Sequence, residues 1–127
     1  CASSDGQCEY CLVHEDDGGF RYRIDHIVSR KHGGLTLFEN LAYACTRCNI
    51  HKGSDVAAID HLTGHPVRLF DPRVDRWSDH FALSGSRIEG LTAVGRATAR
   101  LLRLNTEDRL LERDVLQSLD RYPVAPI

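Results

Sequence analysis

The chain has 127 residues, 42% of them hydrophobic and 27% charged, which is room for one domain with its own core and excludes both two ordinary domains and a disordered chain. It has neither the run of about 18 apolar residues of a spanning helix nor the basic start and apolar stretch of a signal peptide, so a cytoplasmic protein without a membrane partner is expected. The net charge of −2 argues, at face value, against a nucleic-acid partner.

That figure hides an asymmetry. Of the 16 basic residues 14 are Arg, with six basic against nine acidic residues through Asp60 and ten against nine after it. No Met occurs, even at position 1, which reads as a processed chain or a fragment.

In chain order, residues 1–19 are a lead-in that carries Cys8-Glu-Tyr-Cys11 and closes in the acidic Glu15-Asp16-Asp17-Gly18-Gly19. Phe20 to Ile27 alternates apolar with polar residues, a period of two that predicts a strand. Lys31-His32-Gly33-Gly34 breaks it, Leu35 to Asn40 reads as a loop, and Leu41 to Ala44 as a second strand that leads into Cys45-Thr-Arg-Cys48. A helix is expected from Asn49, stopped near Gly53 or continued loosely through Asp55 to Ile59. After a turn at residues 63–66, Val67 to Phe70 reads as a strand ended by Asp71-Pro72, and Trp77 to Ile88 as extended pieces broken at Gly85. Thr92 is a candidate N-cap for a helix through Leu104, with Ala93, Ala97, Leu101 and Leu104 on one face. Thr106 caps a second helix, in which Leu111, Val115 and Leu119 recur every four residues and are expected in the core.

Two CxxC pairs separated by 33 residues suit a tetrahedral four-thiolate zinc site, with Cys8, Cys11, Cys45 and Cys48 as ligands. The competing reading, a disulfide scaffold, is disfavoured because neighbouring CxxC cysteines make poor staples and the total of five cysteines is odd. Cys1 is then an idle thiol and His14 a surface residue rather than a ligand. His61, His65 and His80 carry little information singly.

Between and after the pairs stand Ile24-Asp25-His26-Ile27, Gly33-Gly34, Glu39-Asn40-Leu41, Asn49 and Lys52-Gly53. In this order these elements resemble the HNH endonucleases, the zinc-stapled branch of the ββα-metal (His-Me finger) nucleases, over about residues 7–54. Leu69 to Arg73, Trp77 to Phe81 and Gly95 to Thr98 also look like the tail of a subgroup of bacterial HNH proteins. The resemblance implies an α+β fold, a ββα-metal finger stapled by a four-cysteine zinc site, followed by short C-terminal strands and a helical pair. A single domain over 1–127 is expected, with residues 55–127 as an extension of unknown role.

The same resemblance implies metal-dependent hydrolysis of DNA phosphodiester bonds. His26 would be the general base, a role that suits histidine with its ordinary pKa near 6.5. Asp25 and Asn49 would hold a catalytic divalent cation, Mg²⁺ or Mn²⁺, as their oxygen donors suit. Asn40 would position His26, and Lys52 would face the phosphate. Asp25 and His26 are neighbours on a strand and point to opposite faces, so both reach one site only at a bulge or a strand end. His51, two residues from Asn49, points away by roughly 160° and is left out of the site. DNA is the expected partner, bound weakly and with salt sensitivity through phosphates. The alternative is a non-catalytic zinc module that binds nucleic acid or protein.

Overall fold

The computed structural model describes residues 6–18 and 22–124. Cys1 and the first two residues of the expected Phe20–Ile27 strand therefore lie outside the described residues. The remainder of that strand, β1 (Arg23–His26), pairs antiparallel with β2 (Leu41–Ala44) in the register Asp25↔Ala42 and His26↔Leu41. The register is unbroken, so no bulge forms, and His26 stands at the strand end.

Helix α1 (Thr46–Lys52) begins three residues earlier than the expected Asn49, because Cys45 is its N-cap and the Cys45 Sγ accepts from the Cys48 amide. A metal-ligand turn and a helix cap are thus one local structure. The helix stops at Gly53, whose φ of +52° closes it. Residues 55–59 do not continue it: β3 (Ala57–Ile59) pairs with β4 (Pro66–Arg68). Partnering across the turn wins over the weak helical tendency of Val56 and Ile59.

The strand expected over Val67–Phe70 is shifted back, and Leu69 and Phe70 turn into the core. Residues 77–88 are partly corrected as well. A single helical turn, α2 (Trp77–His80), precedes the hairpin β5 (Phe81–Ser84) and β6 (Arg87–Gly90), which turns at Gly85. Helix α3 (Ala93–Leu101) is capped by Thr92, whose hydroxyl accepts from the Gly95 amide, and packs on β6 and β3.

Helix α4 (Glu107–Ser118) follows Thr106 with the opposite face inward from the one expected. Leu111, Val115 and Leu119 are exposed, whereas Arg109, Arg113 and Leu116 are buried. Buried guanidinium groups need partners, and these have them. Arg113 donates to the Ser86 and Leu104 carbonyls at 2.7 Å each, and Arg109 donates to the Leu102 carbonyl at 3.0 Å.

One apolar cluster runs from Cys8, Tyr10 and Val13 through Phe70, Trp77 and Phe81 to Leu102, Leu116 and Tyr122. Directional bonds tie the C-terminal segment to the first cysteine turn: Trp77 Nε1 donates to the Tyr10 carbonyl at 2.9 Å and Tyr122 Oη to the Cys11 carbonyl at 2.6 Å. The fold is α+β, with a ββα finger of β1, β2 and α1 wrapped by two further hairpins and a helical pair. Among the described residues no helix is long and apolar enough to cross a membrane.

Candidate active site and metal centre

The four cysteines Cys8, Cys11, Cys45 and Cys48 converge, all buried, with their sulfurs within 4.8 Å of one another. Four thiolates arranged tetrahedrally at about 2.3 Å from zinc would stand about 3.8 Å apart, and Cys11 Sγ lies 3.7 Å from Cys45 Sγ. Each turn also aims an amide at sulfur, Cys11 N–H at Cys8 Sγ (3.5 Å) and Cys48 N–H at Cys45 Sγ (3.4 Å). The donor set and spacing fit a metal ion such as zinc. His14 stands outside the cluster, half-buried, with Nδ1 accepting from the Asp16 amide at 3.1 Å.

The cysteine cluster shapes the charge around it. Burial pushes the Cys8 and Cys48 thiols well above their ordinary value, while hydrogen bonds from Cys45, Cys48 and Cys8, aided by Arg109, pull Cys11 well below it. Arg109 reaches in from α4, its guanidinium 3.2 Å from Cys48 Sγ and 3.9 Å from Cys45 Sγ. Burial opposes its charge, but Cys48 and Cys11 outweigh this and hold its pKa above the ordinary value. The sequence carries no local signal for this contact, since Arg109 lies 61 residues beyond Cys48.

Across the finger, His26 closes β1 half-buried, and its Nε2 lies 2.9 Å from Thr36 Oγ1. Sequence reasoning misses Thr36, because it sits in an aperiodic loop. That loop is held by Asn40. Its Oδ1 accepts from the Val28 amide (2.8 Å), its Nδ2 donates to the carbonyls of Val28 (2.9 Å) and Leu35 (2.8 Å), and its own carbonyl accepts from the Ile27 amide (2.8 Å). Asn40 therefore binds both the chain that leaves His26 and the loop that carries Thr36.

The Gly33-Gly34 pair serves this loop in two ways. Gly33 takes φ +86° to end a short 3₁₀ turn over Arg30–His32. A Cβ on Gly34 would stand 1.7 Å from the Val28 carbonyl oxygen and 2.8 Å from Asn40 Nδ2, so only glycine leaves room for the tether.

Lys52 departs from the expectation that it faces the phosphate. Its side chain is 1% exposed, with Nζ donating to the Ile27 carbonyl at 2.8 Å and to that of His26 at 3.4 Å. With α1 starting at Thr46, Lys52 falls on the helix face packed on β1, and the carbonyls at the strand end take its ammonium. Burial lowers its pKa against the pull of Asp25, Asp55 and Asp71.

Asp25 is the carboxylate left without a full set of hydrogen bonds among the buried side chains of the described residues. Its Oδ2 is buried without a hydrogen bond, and the Lys52 ammonium, at 3.9 Å, is too distant to donate. Burial raises its pKa, only partly offset by Lys52 and the His26 backbone. An orphan carboxylate oxygen beside a histidine is the donor that a hard divalent cation takes, so Asp25 fits that group. Asn49 lies one turn before Lys52 on α1, the helix that packs on β1, with its backbone N–H donating to the Cys45 carbonyl at 3.0 Å.

His51 has its pKa lowered by burial first and then by Arg103, Arg109 and Arg47. It thus belongs to the arginine side of α1. His61 and His65 are exposed, while His80 holds Thr92 Oγ1 at 2.6 Å and lies 3.5 Å from Asp75.

Residues 8–55 match the family model for HNH endonuclease. That stretch is similar to HNH domains. Over 110 residues the chain is 26% identical to the Septu protein PtuB of Bacillus thuringiensis, an alignment over 85% of this chain and 40% of that protein. The chain thus spans about two fifths of that relative's length. No solved structure matches.

Proposed function

We propose that the protein is a metal-dependent endonuclease that hydrolyses DNA phosphodiester bonds with His26 as general base. The observation that carries this is the buried, unbonded Oδ2 of Asp25 immediately beside His26. In this reading zinc occupies the four cysteines as a structural ion, and Asp25 and Asn49 hold Mg²⁺ or Mn²⁺. That cation, when bound, supplies a Lewis acid for the phosphate and the departing oxygen.

The chain's own groups account for the proton. Nε2 of His26 is engaged with Thr36 Oγ1, and Nδ1 has no partner among the described residues. With the proton on Nε2 donated to the threonine oxygen, Nδ1 is free to take one from water. The imidazolium that results keeps the Thr36 bond, since both ring nitrogens are then donors. Asn40 and Lys52 work through the backbone. The first fixes residues 27 and 28, the second holds the carbonyls of residues 26 and 27, and together they set the ring's position. Both are positioning residues in this account.

Plasmid nicking with Mg²⁺ or Mn²⁺ tests the reading. His26→Ala is expected to lose nicking by at least about 100-fold, the usual contribution of a general base, with zinc content and thermal unfolding unchanged. Nicking by His26→Ala at the parent rate removes His26 as the base. Failure of the parent to nick with any divalent ion favours a non-catalytic zinc module.

A further inference from the structure

A cavity of about 490 Å³ lies outside the finger, between β6 and the C-terminal end of α3. Four guanidinium groups line it, from Arg87, Arg96, Arg100 and Arg103, against one carboxylate, Glu89, which stands 3.4 Å from Arg87. Arg96 is neutralised by a two-pronged pair with the buried Asp60, at 3.0 Å on each oxygen. Arg100 and Arg103 are exposed and make no ion pair among the described residues. Arg100 and Arg103 line the same cavity three residues apart, so two unpaired like charges stand close together and repel. Nothing in the fold requires this repulsion, and a bound anion would relieve it.

Arg103 supplies an independent sign. It follows the C-cap Leu102 with φ +52°, and the Leu104 amide bonds back to the Ala99 carbonyl at 3.0 Å. This is the helix-closing position where glycine is the usual residue, because a Cβ is strained there. A long cationic side chain is kept at that position against the backbone preference.

We propose that this cavity is a phosphate-binding groove that takes the backbone of a nucleic acid through Arg100 and Arg103. Two observations favour a chain of phosphates over a single nucleotide. No Phe, Tyr or Trp lines the cavity, so no base-stacking platform is offered. A second cavity, of about 310 Å³, shares Arg100 and Arg103, so the pair lies along a track continuing past them. Guanidinium forks suit phosphate geometry, and such contacts bind without reading sequence. The groove deepens the nuclease reading and rests on it for the identity of the polyanion. It also resolves the opening charge: a chain of net −2 can still present phosphates with a locally cationic surface.

The test is binding of a short fluorescent DNA duplex by fluorescence anisotropy over a range of salt, with His26→Ala protein so that the duplex survives. Each phosphate contact adds about 0.9 to the slope of log K against log salt. The double substitution Arg100→Gln, Arg103→Gly is expected to reduce that slope by about 1.8. Its thermal midpoint should stay level or rise, because glycine relieves the strained turn. An unchanged slope overturns the groove, as does loss of ATP or pyrophosphate binding with duplex binding intact. If the parent chain nicks DNA but the double substitution keeps the slope, the groove alone is refuted. If the slope falls but the parent chain never nicks, the nuclease reading is refuted and the groove stands.

Discussion

Two aspartates divide the molecule. Asp60, between β3 and β4, is fully buried, yet Arg96 grips both its oxygens, Thr63 Oγ1 donates to it at 2.9 Å, and these bonds hold its pKa far below the carboxylate range. Asp25, at the finger's strand end, is less buried, but its Oδ2 has no hydrogen bond and burial drives its pKa up. Burial alone does not separate a structural carboxylate from a functional one; satisfaction does. A fully paired charge fixes the C-terminal layer, whereas the unsatisfied one is the proposed place for an ion.

The strongest way to break this contrast is to remove the frame that holds Asp25 in place. A structural zinc contributes on the order of 10 kcal/mol in small metal-dependent domains. Chelation, or Cys48→Ala, is therefore expected to unfold the finger, read as loss of its circular-dichroism signal and of the thermal transition. Retention of both would mean that the cysteines do not hold a structural ion. Next in size is Gly34→Ala, whose Cβ would collide with the Val28 carbonyl. A loss of about 3 kcal/mol is expected, together with loss of nicking, because Asn40 can no longer tie residue 28 to the loop of Thr36. A fully active, stable Gly34→Ala would show that the tether is dispensable.

Smaller effects sharpen the contrast between the aspartates. Asp60→Asn is expected to lower the thermal midpoint near neutral pH. A depressed pKa gives stability present above the unfolded value of about 3.9 and lost as pH falls through the folded one, so the deficit should narrow only in acid. Asp25→Asn runs the other way. A raised pKa gives stability that is present below about 3.9 and lost as pH rises through the folded value. Without added divalent ions, Asp25→Asn should therefore match or slightly exceed the parent in midpoint, by an amount that grows as pH rises through that titration. A midpoint lowered as much as in Asp60→Asn would make Asp25 an ordinary structural group.

The finger was legible in the sequence because its signals are local. CxxC turns, an Asp-His pair at a strand end and paired glycines act on backbone a few residues away, and the Asn before β2 reaches Val28, 12 residues back across one loop. What was not legible depends on long-range partners. Lys52 turns inward because Cys45 starts α1 at Thr46, which decides the face that meets β1. The inward face of α4 is the arginine face because Arg109 finds cysteine sulfurs and Arg113 finds carbonyls remote in sequence, so the Leu111, Val115 and Leu119 pattern misleads. Residues 57–59 form a strand only because Pro66–Arg68 lies across the turn. Thr36 carries no sequence signal, and its part is visible only once the loop has folded onto His26.

The most direct measurement of the central claim is a calorimetric titration of Mn²⁺ into zinc-loaded parent, Asp25→Asn and Asp60→Asn proteins. The account predicts one Mn²⁺ site per chain in the parent, loss of that site in Asp25→Asn and its retention in folded Asp60→Asn. Equal Mn²⁺ binding by the parent and Asp25→Asn would contradict it.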